Sequence, residues 1–272
     1  MKKDPQTSNS EQNNMLTFGG HLEVLRRMFI RILLVIAVFA TVIFSFKGTT
    51  WELLLAPSKW DFCTYRWIEE FMHRIGMTNF HFEPYHVKLI ATELSSQFMT
   101  HLSTSIYIGA LLASPYILVE LFSFIAPALY DNERHYAVRT TVIVYIQFIL
   151  GVLMSYFILF PIAFRFLGTY SVATQISSTI TLDSYISTFT TLTFVMGLVF
   201  QLPVIAFALA KMDIVSSAML ISYRKHALIV IMMVAAIITP PDIMTLVLVT
   251  VPLYFLYEVS IKVIKWTENS KN

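Results

Sequence analysis

The chain has 272 residues, of which 56% are hydrophobic and only 13% are charged, with a formal net charge of +2. That balance argues against a soluble domain and leaves no basic footprint for nucleic acid; it is the composition of a membrane protein. Cys63 is the single cysteine, so an intrachain disulfide is excluded and a thiolate metal site is disfavoured.

Residues 1–20, "MKKDPQTSNSEQNNMLTFGG", are polar and lack the short apolar region and small-residue cleavage site of a secretory signal. They read as a cytoplasmic tail. Six apolar spans follow, at Met28–Phe46, Thr100–Phe122, Tyr136–Phe160, Tyr185–Ala210, His226–Ile238 and Ile243–Ile264. Crossing the hydrocarbon core takes about 20 apolar residues. Backbone in lipid must satisfy its own hydrogen bonds, so each span reads as a helix. The expected fold is an all-α membrane protein with six transmembrane helices in residues 21–265, followed by a second cytoplasmic tail at 266–272.

With both termini cytoplasmic, the outer side carries Lys47, Lys59, Arg66, Arg74, Lys88 and Arg165, and the other 13 of the 19 Lys and Arg residues lie inside. The positive-inside rule favours this orientation. The loop 47–97 is then external. It is rich in aromatic residues, among them Trp51, Trp60, Phe62, Tyr65, Trp67 and Tyr85. Such rings suit short helices at the membrane interface, where they cover helix ends or shape a partner surface.

The fifth span is too short to cross about 30 Å untilted, so the bilayer thins there or the hairpin ends below the surface. "ITPPDI", from Ile238, joins it to the sixth. Pro240 and Pro241 cannot both sit inside a helix, so this is a tight turn closed by Asp242. Gln147, Gln201 and, near them, Pro203 put polarity and a helix breaker inside spans. Mid-membrane amides usually bond to neighbouring helices.

Charge gathers at the cytoplasmic ends: Glu23 and Arg26 before the first span, Glu120 closing the second, Asp131, Glu133 and Arg134 opening the third, Arg224 before the fifth and Glu258 late in the sixth. A carboxylate partly shielded from water binds an arginine through charge-assisted, two-point hydrogen bonds. Plainer readings stand beside this one. Asp131 suits a helix N-cap or first turn. Glu258 can pair with Lys262 four residues on. Arg134 suffices as a topology marker. Glu120 follows an apolar run and is costlier to place idly. For Glu133, composition leaves a binding carboxylate and a plain boundary charge both open.

Enzymatic signals are poor. His73, His81 and His86 fit no zinc spacing, no serine sits in Gly-x-Ser-x-Gly, and no phosphate-cradling glycine loop exists. No cofactor is expected.

"HLEVLRRMFIR" from His21, "FIAPALYDNER" from Phe124, "FQLP" from Phe200, "YRKH" from Tyr223, "ITPPD" from Ile238 and "PLYFLYE" from Pro252 occur in the order found in TatC, the multi-spanning receptor subunit of the twin-arginine protein translocase. The chain resembles that family over about residues 18–265. The resemblance implies a cupped, glove-like bundle in the bacterial inner membrane, both termini cytoplasmic, with no enzymatic activity. It implies binding of twin-arginine signal peptides of folded cargo, small single-span partners of the TatA and TatB type, a homo-oligomer, and the proton-motive force as energy source. Glu133 matches the family's arginine-binding glutamate; Phe124, Pro127, Leu129, Tyr130 and Arg134 match its neighbours. Two positions depart. The family's first-span pattern has glutamate where this chain has Val24, with Glu23 about 100° away around the helix. Its Phe-Glu-x-Pro reads Phe-Gln-x-Pro here, with Gln201 for the acid. Site residues are therefore Glu133 and Arg134 with Glu120, Glu23 and Arg26. The rival reading is a proton-coupled small-molecule transporter. It needs ionisable groups at mid-membrane, where this chain has Gln147 and Gln201.

Overall fold

The computed structural model describes residues 18–77, 79–129, 134–171 and 179–269; for residues 18–22, 122–129 and 134–139 it describes the backbone alone. Among the described residues, five helical stretches are long and apolar enough to cross a membrane: Glu23–Ser45, Ser96–Leu121, Thr140–Thr169, Leu182–Lys211 and Ile243–Asn269. The first lies in α1 (Phe18–Ser45) and the second in α4 (Ser96–Leu129). On α1, Leu33, Leu34 and Val38 are each more than 60% exposed. Apolar side chains left outside a folded chain in this number belong against lipid or another apolar partner.

The third and fourth stretches are each made of two helices, and proline sets both joints. Helix α5 (Arg134–Met154) passes through a π-helical turn (Ser155–Leu159) into α6 (Phe160–Thr169). Pro161 has no N–H to donate to the carbonyl of Phe157, four residues back. Thr64 donates its hydroxyl to that carbonyl instead. The fourth stretch is α7 (Leu182–Val199) and α8 (Leu202–Lys211), with Pro203 in the first turn of α8.

A short α9 (Ser217–Ser222) leads to α10 (Arg224–Ile238), which holds the expected fifth span. Its 15 residues make a helix of roughly 22 Å, short of a hydrocarbon core of about 30 Å. Helix α11 (Ile243–Asn269) follows. Between them the Asp242 N–H donates to the Pro240 carbonyl at 2.7 Å. The Asp242 carboxylate accepts the Thr245 N–H at 2.7 Å and also its hydroxyl. It thereby caps the first turn of α11.

Residues 46–95 hold α2 (Lys47–Leu55), a single 3-10 turn (Ala56–Ser58), α3 (Cys63–Arg74) and a strand, β1 (Lys88–Ile90). The strand is an addition to the expected all-helical fold. It pairs in parallel with β2 (Thr179–Thr181), Lys88 opposite Thr179, just before α7. The aromatic residues divide. Trp60, Trp67 and Phe71 are exposed, as interface rings would be, but Tyr65 and Tyr85 are buried in the core with Phe160, Tyr185 and Phe189. Hydroxyls fasten this cap to the bundle: Tyr65 donates to the Pro161 carbonyl at 2.8 Å, and Tyr185 and Tyr156 to those of Leu54 and Leu53 at 2.7 and 2.8 Å. Burial pushes the phenols of Tyr65 and Tyr85 above their ordinary pKa, and the Tyr85 hydrogen bond adds to the shift at Tyr65.

Candidate functional site

Helices α1 and α4 pack antiparallel. Ala40 lies so close to Gly109 that a Cβ there would come within 2.7 Å of the Ala40 backbone nitrogen. Further along the pair, the ring of Phe44 stacks on His101 with centroids 4.3 Å apart. Small residues allow such backbone contact in membrane helices. In the other direction, nine residues before Ala40, Arg31 reaches Glu120 on α4.

Glu120 takes two donors on one oxygen. Arg31 Nη1 lies 3.3 Å from Oε1, and the Tyr116 hydroxyl donates to it at 2.7 Å. Among the described residues, Oε2 of Glu120 takes no hydrogen bond. The carboxylate is the shielded partner, 19% exposed against 59% for the arginine. Glu120 is thus not an idle charge at the end of an apolar run, but a carboxylate already holding a guanidinium.

Glu23 is also engaged, by its own helix. Arg27 and Arg26 approach its two oxygens at 3.0 and 3.4 Å. Glu23, Arg27 and Arg31 follow at four-residue spacing, so they share one face of α1.

Glu258 does not pair with Lys262. Its Oε2 takes Arg224 Nη2 at 2.7 Å and its Oε1 the Tyr254 hydroxyl at 3.2 Å. Arg224 opens α10, so this ion pair ties the two helices of the last hairpin at the end away from Pro240 and Pro241. The partner of Glu258 is thus the cross-helix arginine and not the lysine four residues on.

Gln201 is buried at the joint between α7 and α8. Its Nε2 donates to the Val144 carbonyl of α5 at 3.0 Å, an amide bonded to a neighbouring helix. Its Oε1, like that of Gln147 one turn beyond Val144, is buried with no partner among the described residues.

Of the remaining expected site residues, Phe124, Pro127 and Leu129 lie in the last turns of α4 and Arg134 opens α5, with only their backbone described. Tyr130 and Glu133, with Asp131, lie outside the described residues. The structure therefore joins Glu120 to α1 through Arg31, on the face of that helix that also carries Glu23, and leaves Glu258 and Gln201 in separate surroundings. Sequence reasoning missed Arg31 and Tyr116 as partners of Glu120. The four-residue spacing of Tyr116 and Glu120 was a usable signal; Arg31 lies 89 positions away. Among the described residues no group of His, Cys, Asp and Glu side chains is placed to hold a metal ion.

Comparison with known proteins covers nearly the whole chain. The family model described as "Sec-independent protein translocase protein (TatC)" matches residues 20–252. A Sec-independent protein translocase protein TatC from Blattabacterium of Periplaneta americana is 31% identical over 267 residues, covering 96% of this chain and 99% of the relative. One from Carboxydothermus hydrogenoformans is 33% identical over 256 residues, 94% and 95% of the two chains. A crystal structure described as the twin arginine translocase receptor TatC superposes with a TM-score of 0.71 at 28% identity, covering 90% of this chain and 98% of that one.

Proposed function

The chain belongs to the TatC family, a non-enzymatic membrane component of the Sec-independent protein translocase, and we propose that it is the receptor that binds twin-arginine signal peptides and nucleates the translocation complex. The observation that carries this reading is the shielded carboxylate of Glu120, which already binds a guanidinium at the end of an apolar helix. The same end of α4 leads through Phe124, Pro127 and Leu129 to Glu133 in the sequence. A signal peptide brings two fixed positive charges, and two carboxylates at the membrane edge offer each a charge-assisted bond.

In this reading the chain lies in a bacterial inner membrane, with α10 as a sixth, shortened crossing and a cupped bundle. Both termini and the α4–α5 connection are cytoplasmic, and the cap at residues 47–97 is external. Pro240 and Pro241 then sit near the outer interface, where the bilayer thins. Partners are small single-span subunits of the TatA and TatB type and further copies of the chain; the proton-motive force supplies the energy.

Photocrosslinking tests the reading. A synthetic twin-arginine peptide with a photoreactive group next to its arginines is added to membranes holding this protein. Crosslinks to the α4–α5 connection or to α1 are expected. Equal labelling by a peptide with both arginines replaced by glutamine would remove the receptor assignment.

A further inference from the structure

Arg31 rests on the carboxylate to which the receptor reading assigns a peptide arginine. It is carried by the chain itself, on α1, and its guanidinium rests on Glu120 Oε1 at 3.3 Å. The contact is of one point, at the long end of a hydrogen bond, and leaves Oε2 without a partner among the described residues. Tyr116 holds the same Oε1 at 2.7 Å, which fixes the carboxylate whether or not Arg31 is there.

The pair is also not the sole contact between the two helices. The backbone contact of Gly109 with Ala40 and the Phe44–His101 stack hold α1 on α4 independently of it. With the arginine 59% exposed and held at one point, its guanidinium has room to move off the carboxylate. The pair can therefore open without separating the helices.

We propose that Arg31 is a built-in stand-in for a signal-peptide arginine, occupying Glu120 when no peptide is bound and giving way to one. The proposal rests on the receptor reading above and adds to it a competing residue. An incoming guanidinium that uses both Oε1 and Oε2 gains a two-point contact that Arg31 does not make, so exchange is favourable. Until it exchanges, the binding-competent fraction is reduced, and apparent affinity falls by that fraction. The arrangement makes weak, one-point ligands poor competitors and keeps the carboxylate from accepting any passing cation.

The test is equilibrium binding of a fluorescent synthetic twin-arginine peptide to the detergent-solubilised full chain. Six proteins are compared: the parent, Arg31→Gln, Arg31→Lys, Glu120→Gln, Glu133→Gln and the double variant Arg31→Gln with Glu120→Gln, each checked for abundance and melting temperature. Arg31→Gln should tighten binding about twofold to fivefold, the range for losing one exposed ion pair. In the Glu120→Gln background the same change should have no effect, because there is no site left to compete for. Arg31→Lys keeps the charge that marks topology and should fall between parent and Arg31→Gln.

Unchanged or weaker binding by Arg31→Gln overturns the stand-in while leaving the receptor reading intact, provided Glu133→Gln still weakens binding. Equal tightening in both backgrounds also overturns it, since that is only the removal of a repelling charge. Parent-like binding by both Glu133→Gln and Glu120→Gln overturns the receptor reading and this inference with it.

Discussion

A Cβ at Gly151 on α5 would lie 2.5 Å from the Met196 carbonyl oxygen of α7. No side chain can move aside there, because the obstacle is backbone. Alanine gains about 1 kcal/mol over glycine as a helix former, but overpacking costs about 1–3 kcal/mol. Gly151→Ala is therefore expected to lower the melting temperature in detergent. Gly48, in α2 with nothing within 4 Å of its added Cβ, is the control; Gly48→Ala should be neutral or stabilising.

Arg165 on α6 holds the cap from beneath. Its guanidinium sits 4.5, 4.8 and 5.2 Å from the ring centres of Phe82, Tyr85 and Tyr65, and its Nη2 donates to the Glu83 carbonyl at 2.8 Å. A cation over aromatic faces contributes about 0.5–2 kcal/mol. Arg165→Met keeps much of the stem but loses both the charge and the hydrogen bond. Limited proteolysis should then cut within residues 75–87 several-fold faster, with the spans intact. Arg165→Lys should recover part of the resistance.

The Arg224–Glu258 pair predicts which lysine does not matter. A double-mutant cycle on melting in detergent should give a coupling of about 0.2–1 kcal/mol between Arg224 and Glu258, the range for partly exposed pairs, and near zero between Lys262 and Glu258. A larger coupling to Lys262 would contradict the assigned partner.

Gln201 contributes one interhelical hydrogen bond, and such bonds average about 0.6 kcal/mol in membrane proteins. Gln201→Leu should lose that bond to the Val144 carbonyl and impair transport of a twin-arginine reporter. Gln201→Glu should retain transport, since a protonated carboxyl keeps one donor for the same carbonyl. Full activity of Gln201→Leu would make the amide mere filling.

Five of the six expected spans were legible because about 20 consecutive apolar residues have few other uses; the expected fifth, in the 15-residue α10, is not among the helices long and apolar enough to cross a membrane. The ends of the spans were not legible. Ser96 and Lys211 extend helices past the apolar runs because helical hydrogen bonding does not require apolar side chains. The joints at Ser155–Leu159 and at Phe200–Gln201 were marked by Pro161 and Pro203, but a proline in a membrane helix is tolerated often enough to give no unique break. The β1–β2 ladder escaped because three residues are too few to show alternation. Of the site, the carboxylates were legible as charges out of place. Their partners were not: Arg31 meets Glu120, and Arg224 meets Glu258, only because helices distant in sequence pack together.

The central claim, that this chain reads paired arginines through Glu120 of α4 and Glu133, is tested most directly at Glu133, the residue that precedes α5 in the sequence. The measurement is equilibrium binding of a labelled twin-arginine peptide to solubilised Glu133→Gln, matched to the parent in abundance and folding. Loss of one charged hydrogen bond costs about 1.5–3 kcal/mol, so binding should weaken roughly tenfold to a hundredfold. Glu120→Gln should weaken it less, since a competing arginine already lowers that carboxylate's share. Parent-like affinity for Glu133→Gln would contradict the account and place the reading of the arginines elsewhere on the chain.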